Sequence, residues 1–438
     1  MSKISLTLLC IVCAAFNGPL LAGDDASAPN TDMVVDMGFE VADPATSDDT
    51  LVSEVSDQAT SPLRITLAHE ASYKVEQPES LVKNRTSARL EYSDYVRERF
   101  FVQLDAKGSV FWGPDHRHDA EGTDLMLSQA YVQTSIRQTS IKAGYQILPW
   151  GESIIAPVTD VVSPRDQREL FNFNLDELRL GQAMVAVDQY SDYGQWSAFY
   201  IPRAEFNENP LPGTAYYFDP LRYRSEIGGE DDLAEFGASW RKTFEDADIT
   251  VMAANLIAND YALSMGTDGL VTRERERFSL AGAVFNYALK QVIFRGEVAW
   301  KSGQAFNDAA LQIVKRDVVD AYIGAEYSPS STLTVSVEGV NRHVMDWNGE
   351  VASAPRDSQS LLLSVTKMLL HDDLTINFLN FHSMPQSGSL AMLLTTYDLS
   401  DNMRLGFNVV LPYSQSHDSA LFTVRDQKQV VFKIQYQF

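Results

Sequence analysis

The segment from residue 149 to residue 177 is dense in charged side chains of both signs and also carries large apolar ones. Carboxylates and guanidinium groups crowded in this way can narrow a water-filled passage and select solutes by size and charge. An ordinary exposed loop is the alternative, but it would expose Phe171, Phe173 and Leu175, so we expect the segment to fold inward. The candidates for lining a constriction are Asp160, Arg165, Asp166, Arg168, Glu169, Asp176 and Glu177.

A short helix is predicted inside this segment. Ser163 can cap a helix N-terminus, Pro164 suits the first helical position, and Asp166 stands where the acid of a capping box belongs. From these residues we expect a helix that runs to about Phe171.

Metal binding or hydrolysis would have to come from the histidines. His116 and His118, each next to an aspartate, could bind a metal, although a His-x-His pair on a loop is more often simply solvated. A hydrolase would need a Ser/His pair around His69 or His382, and no GxSxG motif stands out. We therefore predict neither an enzyme nor a bound cofactor.

The end of the chain alternates between apolar and polar residues. Side chains alternate across a β-strand, so one face of this segment is apolar with aromatic ends. Such strands are the unit of a transmembrane barrel, the alternative being one strand of a soluble sandwich. The terminal Phe438 also resembles the signal that the barrel-assembly machinery recognises, which makes that machinery an expected partner. The apolar set is Val430, Phe432, Ile434, Tyr436 and Phe438.

The same alternation recurs upstream, for example in residues 97–111, 291–304 and 331–344. The polar faces carry charges of both signs, which are tolerable only beside water or in pairs. We therefore predict a water-filled interior, as barrels of about 16–18 strands have. The predicted lumen-facing charged residues are Arg99, Asp105, Arg295, Glu297, Lys301, Glu338 and Lys433.

Eighteen strands can be placed between residues 63 and 438, and the connections between them alternate in length. Short ones such as 289–291 take turns with mostly long ones such as 149–177 and 203–232. Bacterial barrels have an even strand number, short periplasmic turns and longer outer loops. The sequence thus predicts an all-β, antiparallel transmembrane barrel of about 18 strands, with the helix-containing loop folded into its lumen.

Two regions precede the predicted barrel. Residues 1–22 combine an early lysine, a short apolar core and a terminal alanine, which describes a secretory signal peptide. Both cysteines, Cys10 and Cys13, fall inside it, so the mature chain would have no thiol chemistry. Residues 23–62 hold ten Asp or Glu and no Lys or Arg, a composition typical of a largely disordered, acidic periplasmic leader.

The formal net charge of −24 argues against nucleic-acid binding, which requires a basic patch. No apolar stretch is long enough to form a transmembrane helix. The predicted barrel places the protein in the cell outer membrane, with the lipid and lipopolysaccharide of that membrane as expected partners.

A family resemblance is carried by the run GYQILPWGESIIAPVTDVVSPRDQRELF, followed by LDELRLG and FYIPRAEFNENPLP. This part, about residues 140–215, resembles proteobacterial outer-membrane barrels grouped as a domain of unknown function and often associated with RND-type exporters. The family's chains are usually longer, and the acidic leader is not one of its features. The resemblance implies a porin-like or export-linked envelope protein and no particular substrate. The matching residues are Gly144, Gln146, Trp150, Gly151, Thr159, Asp160, Pro164, Arg165, Asp166, Arg179, Ile201 and Pro202.

Two functions remain open at this stage. The first is a channel for passage of small solutes, with residues 149–177 as its constriction. The second is an export-linked or structural envelope component that works with a periplasmic partner or an inner-membrane transporter such as an RND-type exporter. In that case the acidic leader would be a docking tail. The solute, the ion selectivity, the gating and the oligomeric state are not decided by the sequence.

Overall fold

The computed structural model describes residues 61–77, 79–113, 122–151, 153, 158–171, 178–217, 221–417, 419 and 421–438. The predicted signal peptide, the predicted acidic leader up to residue 60, and the pair His116 and His118 lie outside these ranges. So do two of the constriction candidates, Asp176 and Glu177. No helix in the described ranges has both the length and the apolar character needed to cross a membrane.

Eighteen antiparallel strands form one closed sheet, which confirms the predicted barrel. The last strand pairs back with the first over the register from Thr66 with Gln437 to Lys74 with Gln429. The barrel strands are β1 (Leu63–Lys74), β2 (Ser80–Val96), β3 (Phe100–Phe111), β4 (Gly122–Ile136), β5 (Thr139–Gln146), β6 (Gln182–Ser191), β7 (Gly194–Ile201), β9 (Glu235–Thr243), β10 (Ala247–Ile257), β13 (Arg277–Leu289), β14 (Val292–Asn307), β15 (Ile313–Ser330), β16 (Leu333–Val344), β17 (Asp357–Leu369), β18 (Leu374–Met384), β19 (Gly388–Ser400), β20 (Met403–Ser414) and β21 (Gln429–Gln437).

Three further strands, β8 (Tyr223–Gly229), β11 (Ala262–Met265) and β12 (Val271–Arg275), form a separate small sheet, and α1 (Leu421–Val424) is a single helical turn. Within this sheet β12 pairs antiparallel with β11 and parallel with β8. The barrel strand β10 ends at Ile257, and the chain then leaves the wall to build β11.

Apolar side chains cover the outside of the barrel because successive residues of each strand point to opposite faces. Ile323, Val337 and Phe432 are more than half exposed, as lipid-facing residues must be in a barrel without its bilayer. The paired Trp196 and Trp240, with ring centroids 6.2 Å apart, are partly exposed on the same face. The outer surface is therefore that of a membrane-embedded barrel.

The inside is filled unevenly along the barrel axis. On β17, Ser360 and Leu362 are buried, whereas Ser364 and Thr366, nearer the short turns, are partly accessible. The half next to the long connections holds an apolar core built from inward strand residues and loop residues, which corrects the expectation of a wholly wet interior. Its members include Leu280, Phe381, Met392 and Val410 from strands, and Val162, Phe171, Tyr216 and Leu421 from the connections.

Candidate functional site

The connection between β5 and β6 turns into the barrel and binds the wall at β2. Glu169, which is 3% exposed, accepts hydrogen bonds from Lys83 and Arg85; the bond from Arg85 Nη2 to Glu169 Oε2 measures 3.2 Å. Arg85 also donates to Glu70 of β1 at 2.8 Å. Two cations and two carboxylates thus form one buried group, which we call the β2 anchor (Glu70, Lys83, Arg85 and Glu169).

The same connection binds β14 through Glu297. The carboxylate of Glu297 accepts hydrogen bonds from the backbone NH of Ser153, from the backbone NH of Thr159 at 3.1 Å and from the Thr159 hydroxyl at 2.6 Å. Gly151 lies against this group: a Cβ there would stand 2.8 Å from Thr159 Oγ1 and 3.0 Å from Glu297 Oε2. Only glycine fits at residue 151 without displacing these hydrogen bonds. We call this group the β14 anchor (Ser153, Thr159 and Glu297).

The two anchors lie on opposite walls. In the order around the barrel, β2 is the second strand and β14 the eleventh of eighteen, so half of the circumference separates them. A segment attached to both must cross the lumen. We call the described part of this segment, residues 158–171, the crossing loop.

The predicted helix from Ser163 to about Phe171 is wrong. Residues 164–167 are extended, with hydrogen bonds from Asp166 N to Leu178 O and from Leu180 N to Pro164 O, both 2.7 Å long. The capping groups have other partners, because Ser163 Oγ accepts from Leu148 N at 2.9 Å. Tertiary hydrogen bonds therefore override the local helix signal.

Asp160 organises the crossing loop from within. Its carboxylate accepts hydrogen bonds from Arg165 at 2.8 Å, from Arg179 at 3.0 Å and from the backbone NH of Trp150 at 3.0 Å. Burial by itself would raise the pKa of Asp160, but the two guanidinium groups outweigh that effect and hold the pKa below its usual value. Asp160 is therefore a charged residue at neutral pH.

Arg168 joins the crossing loop to two other parts of the protein. Its guanidinium binds Asp166 at 2.8 and 2.9 Å, Glu208 at 2.7 Å and, more distantly, Asp124 of β4 at 3.5 Å. Burial would lower the pKa of Arg168, yet the hydrogen bond and charge of Asp166 raise it above the ordinary value. This cation is permanent, and it links the loop to the wall and to the next long connection.

The described constriction candidates Asp160, Arg165, Asp166, Arg168 and Glu169 are at most 9% exposed. All five are engaged in ion pairs or hydrogen bonds with protein groups. In this structure they hold the loop across the lumen rather than offering free charges to water.

The predicted lumen-facing residues take different places. Asp105 accepts a two-pronged hydrogen bond from Arg89 at 2.6 and 2.9 Å, and Arg295 pairs with Glu326 at 2.9 Å. Lys301 binds Asp320 at 2.7 Å, and Arg342 completes that group through contacts of 2.8 and 2.9 Å. Glu297 belongs to the β14 anchor, Glu338 is 2% exposed, and Lys433 stands opposite Glu70 in the register of β1 and β21.

Arg99 was predicted to face the lumen and does not lie on a strand. It is exposed in the three-residue turn that joins β2 to β3. The preceding Arg97 and Glu98 both have a φ of 55°, so the chain reverses there instead of continuing the strand. The alternation on which the prediction rested begins only at Phe100.

Four charged residues of the wall were not predicted: Lys83 and Arg85, which bind the crossing loop, and Asp320 and Arg342, which pair around Lys301. All four are buried or nearly so, and each stands on the inward face of its strand. Strand parity was an available signal at Asp320, which lies between Val319 and Ala321, but polar residues flank Arg85 and Arg342 on both sides and hide their faces. What parity cannot show is which distant charge each one meets.

The histidines considered for hydrolysis have no acid beside them in the contacts of the described residues. His69 Nδ1 lies 2.9 Å from Thr86 Oγ1, and His382 Nδ1 lies 3.0 Å from Ser389 Oγ. Among the described residues no group of three or more His, Cys, Asp or Glu is arranged to hold a metal ion. A Ser/His contact without a third group to orient the imidazole is an incomplete catalytic arrangement.

Replacing Asp160 by asparagine should weaken folding in a pH-dependent way. A carboxyl whose pKa is lower in the folded state adds stability above its unfolded pKa of about 3.9, and this stability is lost as the pH falls through the folded value. The difference in urea unfolding free energy between wild type and Asp160→Asn should therefore be larger at pH 7 than at pH 3. An equal difference at both pH values would contradict the ion pairing of Asp160.

The geometry defines the class of the protein: a porin-like, 18-stranded transmembrane barrel with a loop bound across its lumen. The chain belongs to the family described as "Protein of unknown function (DUF1302)", whose model matches residues 69–436. No curated protein sequence matches the chain.

Solved outer-membrane barrels share this fold at low sequence identity. OccK8 (OprE) of Pseudomonas aeruginosa matches with a TM-score of 0.54 and 11% identity, over 86% of this chain and 97% of that one. OccAB3 of Acinetobacter baumannii matches with a TM-score of 0.53 and 9% identity, over 86% and 98%. OpdK of Pseudomonas aeruginosa, solved with vanillate, matches with a TM-score of 0.52 and 11% identity, over 86% and 98%.

Proposed function

We propose that this protein is a channel of the Gram-negative outer membrane that passes small solutes through its lumen, with the crossing loop as the element that limits passage. The observation that carries the proposal is the pair of anchors on opposite walls, at Glu169 and at Glu297. A loop held at both ends across a barrel must be passed by any solute that enters. The fold shared with outer-membrane porins supports the location.

The part of the lumen next to the short turns supports a water-filled path up to the loop. Arg89, Glu91, Arg295 and Glu326 are only partly buried there, with side-chain exposures between 19% and 27%. Accessible charges of both signs favour hydrated, polar solutes over lipids in this vestibule. Selection by size would then occur where the crossing loop narrows the lumen.

Deleting residues 161–171 tests the proposal. Purified protein in planar lipid bilayers should show stepwise single-channel currents, and the deletion should raise the conductance at least about twofold, because a packed obstacle is replaced by water. Glu297→Gln, which weakens only the β14 anchor, is the milder variant should the deletion fail to insert. Heat-modifiable migration on gels confirms that each variant is folded.

A second candidate function is favoured by the dense packing of the crossing loop. Val158, Thr159 and Val162 are at most 1% exposed, so the resting loop leaves little free space around itself. An export-linked component that opens only on contact with a periplasmic or inner-membrane partner would have this property. This function would be favoured if wild type gives no current in bilayers and the deletion variant conducts. If neither protein conducts, the result would count against any channel function.

A further inference from the structure

An arginine and three aromatic residues form a cluster at the end of the barrel that carries the long connections. The guanidinium carbon of Arg273 on β12 lies over the rings of Tyr223 and Tyr261, at 5.8 and 5.6 Å from their centroids. Phe206 stacks on Tyr261, with ring centroids 4.4 Å apart and ring planes 17° apart. We call these four residues the mouth cluster.

Arg273 has no hydrogen-bond or ion-pair partner in the described part of the chain, and its Nε, like that of Arg224, is buried and unsatisfied. Other arginines of the small sheet are engaged: Arg224 binds Asp268 at 2.7 Å, and Arg275 donates to the carbonyl of Glu230 at 3.0 Å. A guanidinium is always charged and presents five donors in one plane. In so acidic a protein, an arginine without a carboxylate partner is a candidate binding site for an anion from solution.

The two acids that follow Arg273 on the chain, Glu274 and Glu276, have other neighbours. Glu274 follows Arg273 directly, and alternation along β12 puts its side chain on the other face, against Gly228. Glu276 pairs with Lys315 at 2.6 Å. Neither of these carboxylates therefore accepts a hydrogen bond from the guanidinium of Arg273.

The mouth cluster lies next to the crossing loop in space. Phe206 precedes Asn207, whose side-chain oxygen accepts from Arg165 N at 2.7 Å. Asn259, two residues before Tyr261, donates to the carbonyl of Val161 at 3.2 Å. A solute held at the cluster would therefore be adjacent to the element that limits passage.

We infer that the mouth cluster is a binding site for an organic carboxylate that carries an aromatic ring. The carboxylate accepts hydrogen bonds from Arg273, and the ring packs against the aromatic side chains of the cluster. This deepens the proposed function, on which it rests, by naming the class of solute that the channel collects. Arg273 and Tyr223 are fixed on strands of the small sheet, and Tyr261 is stacked on Phe206, so the cluster is already assembled in this structure.

Binding of benzoate to the detergent-solubilised, folded barrel tests the inference by saturation-transfer NMR titration. Wild type should bind benzoate more tightly than acetate or inorganic phosphate, since only benzoate supplies both the anion and the ring. Arg273→Gln should weaken benzoate binding about tenfold, because a charge-assisted hydrogen bond is lost. Tyr261→Ala should weaken it as well, whereas Tyr261→Phe, which keeps the ring, should not.

Arg224→Gln is the matched control, since it removes an arginine that is already paired from the same small sheet. The inference is overturned if wild type binds no benzoate, if Arg273→Gln binds within twofold of wild type, or if Arg224→Gln weakens binding equally. Phosphate bound as tightly as benzoate would show an anion site without the aromatic specificity and would overturn the solute class. A barrel that conducts but does not bind benzoate refutes this inference alone, and one that binds but does not conduct refutes the channel alone.

Discussion

Replacing Glu169 by glutamine should release one end of the crossing loop and lower the unfolding free energy by about 3 kcal/mol, because buried cations lose a carboxylate partner. Lys83 and Arg85 are 5% and 1% exposed, and of the β2 anchor only the Glu70 carboxylate would then face them. The loop can escape this imbalance by leaving β2, which would widen the lumen. Urea unfolding in lipid vesicles gives the stability, and planar bilayers give the accompanying rise in conductance.

Glu326→Gln is the matched control for this prediction. Glu326 also pairs with an arginine inside the barrel, Arg295 at 2.9 Å, but both side chains are about a quarter exposed, and they stand on β14 and β15, across the barrel from the β2 anchor. Partly solvated pairs contribute little, so its loss should change stability by less than about 1 kcal/mol and leave the conductance unchanged. Equal effects of the two substitutions would show that the β2 anchor does not hold the loop.

Much of the wall could be predicted because period-two alternation is a local property. Hydrocarbon lies outside every strand, and polar side chains fill the inner face of many of them, so residues such as Val335, Val337 and Glu338 reveal their faces without any tertiary information. The alternating lengths of the connections then set the strand number. The prediction that Arg99 faces the lumen was wrong because alternation does not show where a strand ends and a turn begins.

The segments with unclear alternation have a physical explanation in the structure. Residues 280–287 and 361–368 have no polar face in the sequence, and their inward Leu280, Val284 and Leu362 join the apolar core inside the barrel. A strand that faces hydrocarbon on one side and packed loops on the other needs apolar residues on both. Missing alternation was therefore a signal that loops fill that part of the lumen.

The candidate site was only partly predictable. The charge density of residues 149–177 identified the loop, but the sequence does not show that Glu169 would meet Lys83, or that Glu297 would bind Thr159 across 138 positions. Local capping signals at Ser163 also pointed to a helix that tertiary hydrogen bonds prevent. Pairing between distant segments depends on barrel closure, which no local pattern encodes.

Replacing Asp320 by asparagine should have the largest effect on stability, a loss of about 3–5 kcal/mol, because Lys301 and Arg342 would stay buried without their shared carboxylate. Asp320 and Lys301 are each 2% exposed, and all three contacts measure 2.7–2.9 Å. The control Asp398→Asn removes a carboxylate that binds Arg404 with the same two-pronged geometry on an exposed surface, so it should change stability by less than about 1 kcal/mol.

Replacing the whole buried group separates lost pairing from lost packing. A triple variant with Lys301→Met, Asp320→Leu and Arg342→Met removes both cations together with the carboxylate they share, so it should recover most of the stability that Asp320→Asn loses. Urea unfolding of wild type, the single variant and the triple variant in the same vesicles gives the comparison. If the triple variant is as unstable as Asp320→Asn, the loss of ion pairing does not explain the instability. The cause would then be the loss of packing by these three side chains in the wall of β14–β16.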